Sequence, residues 1–509
     1  MRRVLPAWLA GYQRAWLRPD VVAGLVVWSV VVPQCVAYAQ IAGLPPQAGL
    51  MAAPGALIAY AFLGTSRSLV VSATTATSAL SAAVVGPLAG GDVAKFAVLS
   101  AALALLTGVV LLVGGFLRLG VISDFVSVPV MTGFLFGLGL TIIVGQFPKA
   151  MGLKDGTGNF FPRLWDVVSS IGDAHALTVL VGACSVLALV ALARTPVPAT
   201  LGVLVISIAV SAVFDLSAHG VDVIGKIPSA LPDPAWPSIT GDEFTTLLPA
   251  AFGVLILSTE AVGVARSLAT IHGYRVDPNR DLSAMGASNV LAGLSSGFVQ
   301  SGGASQTAAA DRAGGQSQLA TLITAALVLL TGAFLAPVFK DLPQATLAAI
   351  VIVAVTSFLR VGELRRFARV RRSAIVLALL ALLGVLTLGV LSGLIVTAAI
   401  SLVVVIQHIS RPPVVVLEQD PLVLRVEGGL FYANAVSVKD HVLALAPPGT
   451  TITLNLSSSY DLDVESLDML GELAAVVDLR LTRVRPRAAE MLARAGLADR
   501  VVHERQLLR

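Results

Sequence analysis

Charged residues are scarce in this sequence. Asp, Glu, Lys and Arg make up 13% of its 509 residues and hydrophobic types make up 56%, whereas charge accounts for about 25% of a typical soluble domain. The carboxylates gather in loops and in the C-terminal part, so many apolar runs reach the roughly 20 residues that cross a bilayer. This composition excludes an ordinary soluble protein and predicts a chain that spans a membrane many times.

Cysteine and histidine are also few. Cys35 and Cys184 lie inside apolar runs, which does not suit a disulfide or metal framework, and the 6 histidines lie in loops or at the ends of runs. A membrane enzyme would need a cluster of such groups at depth, so no enzyme, metal or other cofactor is expected.

A cleavable signal is lacking too, because residues 1–20 are basic and aromatic without a short apolar region before a small-residue cleavage site.

The apolar runs that are present form two sets of seven. The first set comprises 21–41, 48–62, a short piece after Ser72, 96–116, 126–144, 177–192 and 200–214. The second comprises 244–268, 282–298, a short piece after Gly303, 319–336, 345–358, 373–390 and 392–409. Since seven is odd, the two sets run in opposite directions through the membrane, and a repeat between them is an inverted one.

The arginines predict the orientation. With the N-terminus inside the cell, the arginine excess of the short loops, including the cluster at 360–372, falls on the cytoplasmic face, as the positive-inside rule requires. Fourteen spans with both termini in the cytoplasm satisfy this rule, and a bacterial-type inner (plasma) membrane is the expected location. The formal net charge of +4 therefore reflects topology and not nucleic-acid binding.

Composition changes again near Arg411. Alternating strand-like runs and amphipathic helical runs follow, which predict a small α/β domain with its own core. The predicted organisation is a cytoplasmic N-terminal segment (1–19), a first repeat with spans 1–7 (20–214), an extracytoplasmic loop (215–243), a second repeat with spans 8–14 (244–410) and the α/β domain (411–509).

Two polar interruptions stand out within the apolar sequence. Residues 69–80 and 291–320 hold the short third piece of each set, and paired broken segments at corresponding places indicate a transporter's substrate site. Two half-helices that meet at mid-membrane would present unpaired N–H groups and about half a positive charge each, which makes an anion site without a basic side chain. Hydroxyl and amide donors would be added by Ser72, Thr74, Thr75, Thr77, Ser305, Gln306 and Thr307. The alternative is that these small residues only let helices pack closely.

Residues 20–50, DVVAGLVVWSVVVPQCVAYAQIAGLPPQAGL, resemble the opening signature of the sulfate permease (SulP) family of anion transporters. The C-terminal domain is similar to the STAS domain attached to these permeases, with FYANA and DLDVESLDML in the expected places. The resemblance implies a polytopic α-helical membrane protein of 14 spans, arranged as 7+7 inverted repeats with core and gate domains, and a cytoplasmic STAS domain. It also implies a homodimer in which the core moves against the gate.

The resemblance also implies where the substrate binds. It places Gln34 and Tyr38 of the first span against the substrate, and their i, i+4 spacing puts both on one helix face. The full set of expected substrate-binding residues is Gln34, Tyr38, Ala73, Thr74, Thr75, Ala76, Gly303, Ala304, Ser305 and Gln306. Many animal members carry an arginine where this chain has Gln306, so a fixed cation is missing, and the Gly-Pro-Thr of many third spans is replaced by residues 72–75, SATT.

Glu260 is the one carboxylate clearly inside an apolar span. A charged, unpaired carboxylate costs free energy inside an apolar span. Such a position suits a side chain that takes up and releases a proton. The resemblance places it where some members hold an aspartate at a sodium site, but the longer glutamate favours proton coupling. The alternative is a structural ion pair with Arg266, roughly 9 Å further along the helix.

The sequence thus predicts a secondary active transporter of small anions, with proton symport of a dicarboxylate such as fumarate or succinate through Glu260. Bicarbonate or sulfate transport, coupled to protons or sodium, is the alternative, and an anion channel is another. The expected partners are the anion, H⁺, the lipid bilayer and a second copy of the chain, with no nucleic acid. In the STAS domain Glu465 occupies the position that is phosphorylated in related domains, so a phosphorylation switch is not expected.

Overall fold

The structure is a computed structural model that describes residues 6, 8–9, 11–121, 127–156, 158–195, 198–225 and 236–502. Most of the segment at 1–10, the first residue of the run at 126–144, and residues 226–235 of the loop predicted at 215–243 therefore lie outside the described residues. The chain divides into two compact units, Met1–Ala399 and Ile400–Arg509.

The first half of the membrane region contains eight helices within the described residues. They are α1 (Leu17–Ile41), α2 (Gln47–Leu63), α3 (Thr75–Ala89), α4 (Val93–Phe116), α5 (Val128–Met151), α6 (Phe160–Ser169), α7 (Ala176–Leu192) and α8 (Ala199–Phe214). A two-residue strand, β1 (Val71–Ser72), precedes α3.

The second half has the same order of elements. Its helices are α9 (Gly241–Ile271), α10 (Pro278–Leu294), α11 (Ala304–Arg312), α12 (Leu319–Leu330), α13 (Gln344–Val355), α14 (Val361–Val370), α15 (Arg372–Leu388) and α16 (Val390–Ser410). The strand β2 (Ser301–Gly302) precedes α11, as β1 precedes α3. Because the broken segment is third in each half, the two halves correspond element by element.

Length and composition distinguish the membrane segments from the rest. In the described part, seven helices are long and apolar enough to cross a membrane and five more are apolar but shorter. Together with α10 and the half-helix α11, these helices make seven segments in each half. The predicted helical membrane fold is thereby confirmed. The helices α6 and α14 are additional: both are amphipathic, both follow the fifth segment of their half, and the sequence did not predict them.

Glycines let two of these helices approach each other closely. Gly108 and Gly115 of α4 face α10, and Gly286 and Gly293 of α10 face α4. A Cβ added at Gly286 would lie 2.8 Å from the Gly108 carbonyl oxygen and 2.7 Å from the Leu112 nitrogen. Small residues at such crossings are how helices associate in lipid, where burial alone gives little driving force.

The helices of the membrane region form two groups. In the core group α4 packs on α9 and α10, α2 packs on α10 and α12, and α1 packs on α12. In the gate group α5 packs on α13 and α15, and α7 packs on α8 and α13. Helix α1 also contacts α8 and α13 of the gate, and α3 contacts α5. The half-helices therefore lie where the two groups meet.

The C-terminal unit contains a four-stranded sheet in the order β3 (Val414–Gln419), β4 (Leu422–Val426), β5 (Thr451–Asn455) and β6 (Asp478–Thr482). The pair β3 and β4 is antiparallel, and β4, β5 and β6 are parallel. The helices are α17 (Ala435–Leu445), α18 (Val464–Val476) and α19 (Pro486–Arg494). Leu424, Ile452 and Leu479 of the strands are fully buried in a core of its own, as the alternating sequence predicted.

Candidate functional site

The two broken segments are joined at their centres. Strands β1 and β2 pair antiparallel, with Val71 opposite Gly302, and the Gly303 N–H donates to the Val70 carbonyl at 2.9 Å. Helix α3 begins right after β1 and α11 right after β2. Since the paired strands are only two residues long, the N-termini of both half-helices lie side by side. The first N–H groups of a helix have no partner within it, so those of both half-helices face a common space.

Gln306 ties this junction to the first helix. Its Nε2 donates to Gln34 Oε1 at 2.7 Å and to the Ala73 carbonyl at 3.2 Å. Its Oε1 accepts from Ser72 Oγ at 2.9 Å, and Gln34 Nε2 reaches Ser305 Oγ at 3.4 Å. One buried amide thus connects α1, β1 and α11, which holds the two half-helices in a fixed relation.

A cavity of about 80 Å³ opens between the half-helices. Nine of the ten predicted substrate-binding residues line it: Tyr38, Ala73, Thr74, Thr75, Ala76, Gly303, Ala304, Ser305 and Gln306. The tenth, Gln34, is 5% exposed and contacts the wall of the cavity through Ser305 and Gln306. The structure therefore brings together residues from both ends of the membrane region that the sequence placed in one site.

Three of the predicted donors have other roles in this structure. Thr307 Oγ1 accepts from the Val70 N–H at 3.1 Å, and Ser72 donates to Gln306, so both hydroxyls hold the junction together. Thr74 is the N-cap of α3, with its Oγ1 accepting from the Thr77 N–H at 3.4 Å. Such a cap satisfies one of the free N–H groups at a helix start and leaves the others for a ligand.

Glu260 also lines the cavity. Its Oε1 lies 4.0 Å from Arg360 Nη2, and the two side chains are 29% and 52% exposed. The sequence offered an ion pair with Arg266 as the alternative role of Glu260, and the structure adds Arg360 as a cation beside this carboxylate. Arg360 is the N-cap residue of α14, so the cation comes from an amphipathic helix of the gate that sequence periodicity did not reveal.

The electrostatics of the cavity follow from these positions. Glu260 is the one charged residue among the described residues that line it. Positive potential comes from the two helix N-termini, each equivalent to about half an elementary charge, and from Arg360 beside Glu260. N–H and hydroxyl donors at helix N-termini suit a small anion, and the charge of Glu260 would oppose a second negative charge. In the described part of the chain, no group of three or more His, Cys, Asp or Glu is placed to hold a metal ion.

Comparison with known proteins decides the family. The model of the sulfate permease family matches residues 17–381, and that of the STAS domain matches residues 412–507. The chain belongs to the sulfate permease family. It is an anion transporter of that family, as the sequence signature predicted.

Sequence relatives support the same assignment over the whole length. A probable sulfate transporter of Mycobacterium tuberculosis (strain ATCC 25618 / H37Rv) is 35% identical, with 96% of this chain and 93% of that protein covered. A sodium-independent sulfate anion transporter of Bos taurus is 30% identical, covering 93% of this chain and 84% of that protein.

Solved structures show the fold. SLC26A9 superposes with a TM-score of 0.88 at 23% identity, over 98% of this chain and 91% of that one. The transmembrane domain of the cyanobacterial bicarbonate transporter BicA gives a TM-score of 0.67 at 20% identity, over 77% of this chain and 98% of that one. The sulfate permease fold with its STAS domain is therefore present.

Several residues that line the central cavity were not predicted. They are Leu257, Ser301, Gly302, Ala354, Ser357 and Phe358. Ser301 and Gly302 directly precede the predicted Gly303, so the polar stretch itself gave a signal. Ala354, Ser357 and Phe358 come from the end of α13 and the turn after it. The sequence at the end of an apolar span does not show whether a residue lines a cavity or contacts lipid.

Proposed function

We propose that this sulfate permease is a proton-coupled symporter of a compact oxyanion, with sulfate as the substrate. The observation that carries the proposal is the pairing of β1 with β2, which aims two helix N-termini at one cavity. Two N-termini supply about one positive charge in total. The names of the mycobacterial and bovine relatives, both sulfate transporters, support this anion over others.

The bound anion occupies the space between Thr75 and Ser305. Backbone N–H groups at the starts of α3 and α11 donate to its oxygens, because helix N-termini are ready-made anion sites. The hydroxyls of Thr75 and Ser305 add donors without a fixed charge. The remaining predicted residues shape the wall, and Gln34 acts through Gln306.

The coupling step involves Glu260. A dianion in the cavity and a charged Glu260 repel each other, and Arg360 offsets this only partly across 4.0 Å. Protonation of Glu260 removes the repulsion, so the anion enters with a proton. Release of the proton on the other side restores the repulsion and expels the anion. Motion of the core against the gate moves the loaded site between the two sides.

A dicarboxylate such as fumarate or succinate is the second candidate. Thr75 on one half-helix and Ser305 on the other would each donate a hydroxyl hydrogen bond to one carboxylate of such a molecule. The same coupling through Glu260 applies. Bicarbonate transport, sodium coupling and channel conduction are the other outcomes that the experiment separates.

The remaining features of the proposal concern the assembly. The repeats extend over 20–214 and 244–410 around the loop at 215–243, and the STAS domain extends over 411–509 after the short segment at 1–19. The protein is a homodimer of a bacterial-type inner membrane with both termini in the cytoplasm, and it is not an enzyme. The exposed Arg365, Arg366 and Arg369 of α14 support the orientation.

Uptake by purified protein in liposomes tests this function. Labelled sulfate, fumarate, succinate and bicarbonate are offered with and without an inward proton gradient, and with and without an inward sodium gradient. We expect saturable accumulation of sulfate that the gradient increases. Preference for a dicarboxylate supports the second candidate, conductance without accumulation supports a channel, and no movement of any anion overturns the proposal.

A matched pair of variants locates the site. Ala304 is exposed to the cavity at the start of α11, and Ala304→Leu fills the space without displacing a buried group. Ala308→Leu adds the same volume one turn further along the helix, outside the lining. We expect the first variant to abolish uptake and the second to retain it, with both proteins eluting normally in gel filtration.

A further inference from the structure

A second and larger cavity, here called the vestibule, lies beside the half-helix α3. It has a volume of about 750 Å³ and is bounded by the end of α1, the outer part of α3, the second half of α5 and the start of α6. Its size sets it apart from the central cavity of about 80 Å³. Nothing in the proposed function uses it.

Helix α3 links the two cavities. Its first turn, Thr75–Thr77, lines the central cavity, and Ala79, Ala82, Ala83 and Gly86 line the vestibule. These four positions follow the i, i+3, i+4, i+7 pattern, so they form one face of the helix. A stripe of small residues usually lets a neighbouring helix pack closely, whereas this stripe faces open volume. The same helix therefore forms a continuous wall from the vestibule to the central cavity.

The vestibule carries positive charge. Among its lining residues in the described part, Arg163 and Lys149 are cationic and Asp155 is the one carboxylate. Arg163 Nε is buried and has no hydrogen-bond partner. The guanidinium lies beside Gly145 of α5, where an added Cβ would make an ordinary contact of 3.5 Å with Arg163 Nη1. Since this Nε is enclosed by protein, an anion in the vestibule would meet the other N–H groups of the guanidinium, which belongs to the cavity lining.

The inverted repeat relates this arginine to Arg360. Helix α6, which carries Arg163, and α14, which Arg360 caps, follow the fifth segment of their respective halves. Gly139 of α5 lies beside the Phe358 side chain. Lys149 follows ten residues later in the same helix, about 15 Å further along its axis. The two arginines therefore follow corresponding segments of the two halves, Arg360 beside Glu260 of the central cavity and Arg163 in the vestibule.

We propose that Arg163, supported by Lys149, forms a second anion-binding site in the vestibule, for the same class of compact oxyanion that the central cavity takes. The inference rests on the proposed function for its role in transport, but the site itself does not depend on it. The guanidinium donates two parallel N–H bonds to a tetrahedral oxyanion, and Lys149 adds a point charge. Asp155 keeps the affinity low enough for the anion to leave toward the central cavity, as conduction through successive sites requires.

Thiol labelling tests the vestibule without relying on transport. Ala83 is exposed on the vestibule face of α3, so Ala83→Cys in a Cys184→Ser background is the reporter, while Cys35 is buried. Its reaction rate is measured with an anionic and a cationic methanethiosulfonate, with sulfate or with gluconate at equal ionic strength. We expect the anionic reagent to react faster than the cationic one, and sulfate to protect the thiol.

Substitutions of Arg163 decide the assignment. Arg163→Gln should lower the anionic-to-cationic rate ratio and the apparent sulfate affinity about tenfold, the factor that about 1.4 kcal/mol gives. Arg163→Lys should retain most of both. Lys154→Gln, which removes an exposed positive charge of the same loop outside the described lining, should change neither.

Three results would overturn the site: no protection by sulfate, sulfate protection that Arg163→Gln leaves unchanged, or no reaction at the reporter thiol. Labelled sulfate uptake is measured on the same preparations. Protection without any uptake would count against the proposed function and leave the vestibule site standing. Uptake without protection would count against the vestibule site and leave the proposed function standing.

Discussion

The Gln306 amide donates to the Gln34 side-chain carbonyl across 2.7 Å, which joins the half-helix of the second repeat to the first span of the first repeat. The same amide group also bonds to Ser72 and to the Ala73 carbonyl. All four residues are less than one-tenth exposed. One neutral side chain thus takes the place of the cation that many family members carry, and its role here is to position the two half-helices.

Replacement of this glutamine should cost stability before it changes specificity. Gln306→Met keeps the length of the side chain but removes the bonds to Gln34 Oε1, Ser72 Oγ and the Ala73 carbonyl, at about 1–3 kcal/mol for each buried group left unsatisfied. We expect a lower Tm in detergent and loss of sulfate uptake. Gln316→Met makes the same change at an exposed position and should leave both unchanged. An unaltered Tm for Gln306→Met would contradict the positioning role.

Neutralising Glu260 should uncouple transport from protons. Glu260→Gln resembles the protonated carboxyl, so we expect sulfate binding to persist while the gradient no longer accelerates uptake and the KM loses its dependence on pH. The matched variant is Glu363→Gln, which removes a carboxylate of α14 that pairs with Arg366 at 3.3 Å outside the cavity. Gradient-driven accumulation that is the same in Glu260→Gln and in the unmodified protein would remove Glu260 from the mechanism.

The crossing of α4 and α10 should not tolerate a side chain. In Gly286→Ala the new methyl group would meet backbone atoms of α4 at 2.7 and 2.8 Å, so the helices must separate. Overpacking of this kind costs about 1–3 kcal/mol, and we expect a lower Tm and aggregation in gel filtration. Gly263→Ala on α9 has nothing within 4 Å of the added carbon and serves as the control. Equal melting temperatures for the two variants would refute the close packing.

Acid should destabilise the STAS domain through Asp463. Partial burial raises the pKa of this carboxyl, but hydrogen bonds from the Ser466 side chain and from the Tyr432 and Ser466 N–H groups outweigh burial and lower the pKa below its ordinary value. A lowered pKa gives stability that is present above the unfolded value of about 3.9 and is lost as the pH falls through the folded value.

Denaturant titrations of residues 411–509 at neutral and acidic pH measure this effect. The unmodified domain should lose part of its stability between neutral pH and pH values below about 4. Asp463→Asn keeps a capping oxygen without the charge, so the pH dependence should become smaller. Asp463→Ala should lose about 1 kcal/mol at neutral pH as well. Identical pH profiles for the three proteins would rule Asp463 out.

Much of this fold could be predicted because lipid imposes a simple pattern. Apolar runs located the spans, and the polar stretches around Thr75 and Ser305 located the half-helices, since such residues are unexpected at membrane depth unless they have a function. The α/β domain followed from its strand and helix periodicity. The family signature at 20–50 then supplied Gln34 and Tyr38, which no periodicity would have selected.

Other features depended on contacts that sequence spacing does not contain. Arg360 lies 4.0 Å from Glu260 but precedes α14, far along the chain from α9, so spacing along α9 could not reveal it. Helices α6 and α14 are each 10 residues long and amphipathic, so a search for long apolar runs does not detect them. The pairing of Val71 with Gly302 involves strands of two residues, which are too short to have a periodicity of their own.

The β1–β2 ladder has a consequence for biosynthesis. Its two strands are separated by most of the membrane region, and a ribosome delivers the first long before the second. Until Ser301 and Gly302 are inserted, the backbone groups of Val71 and Ser72 lack their permanent partners inside the bilayer. The nascent first repeat must therefore be shielded by water, lipid headgroups or an insertase, and a truncated chain that ends before the second strand should be degraded as an orphan.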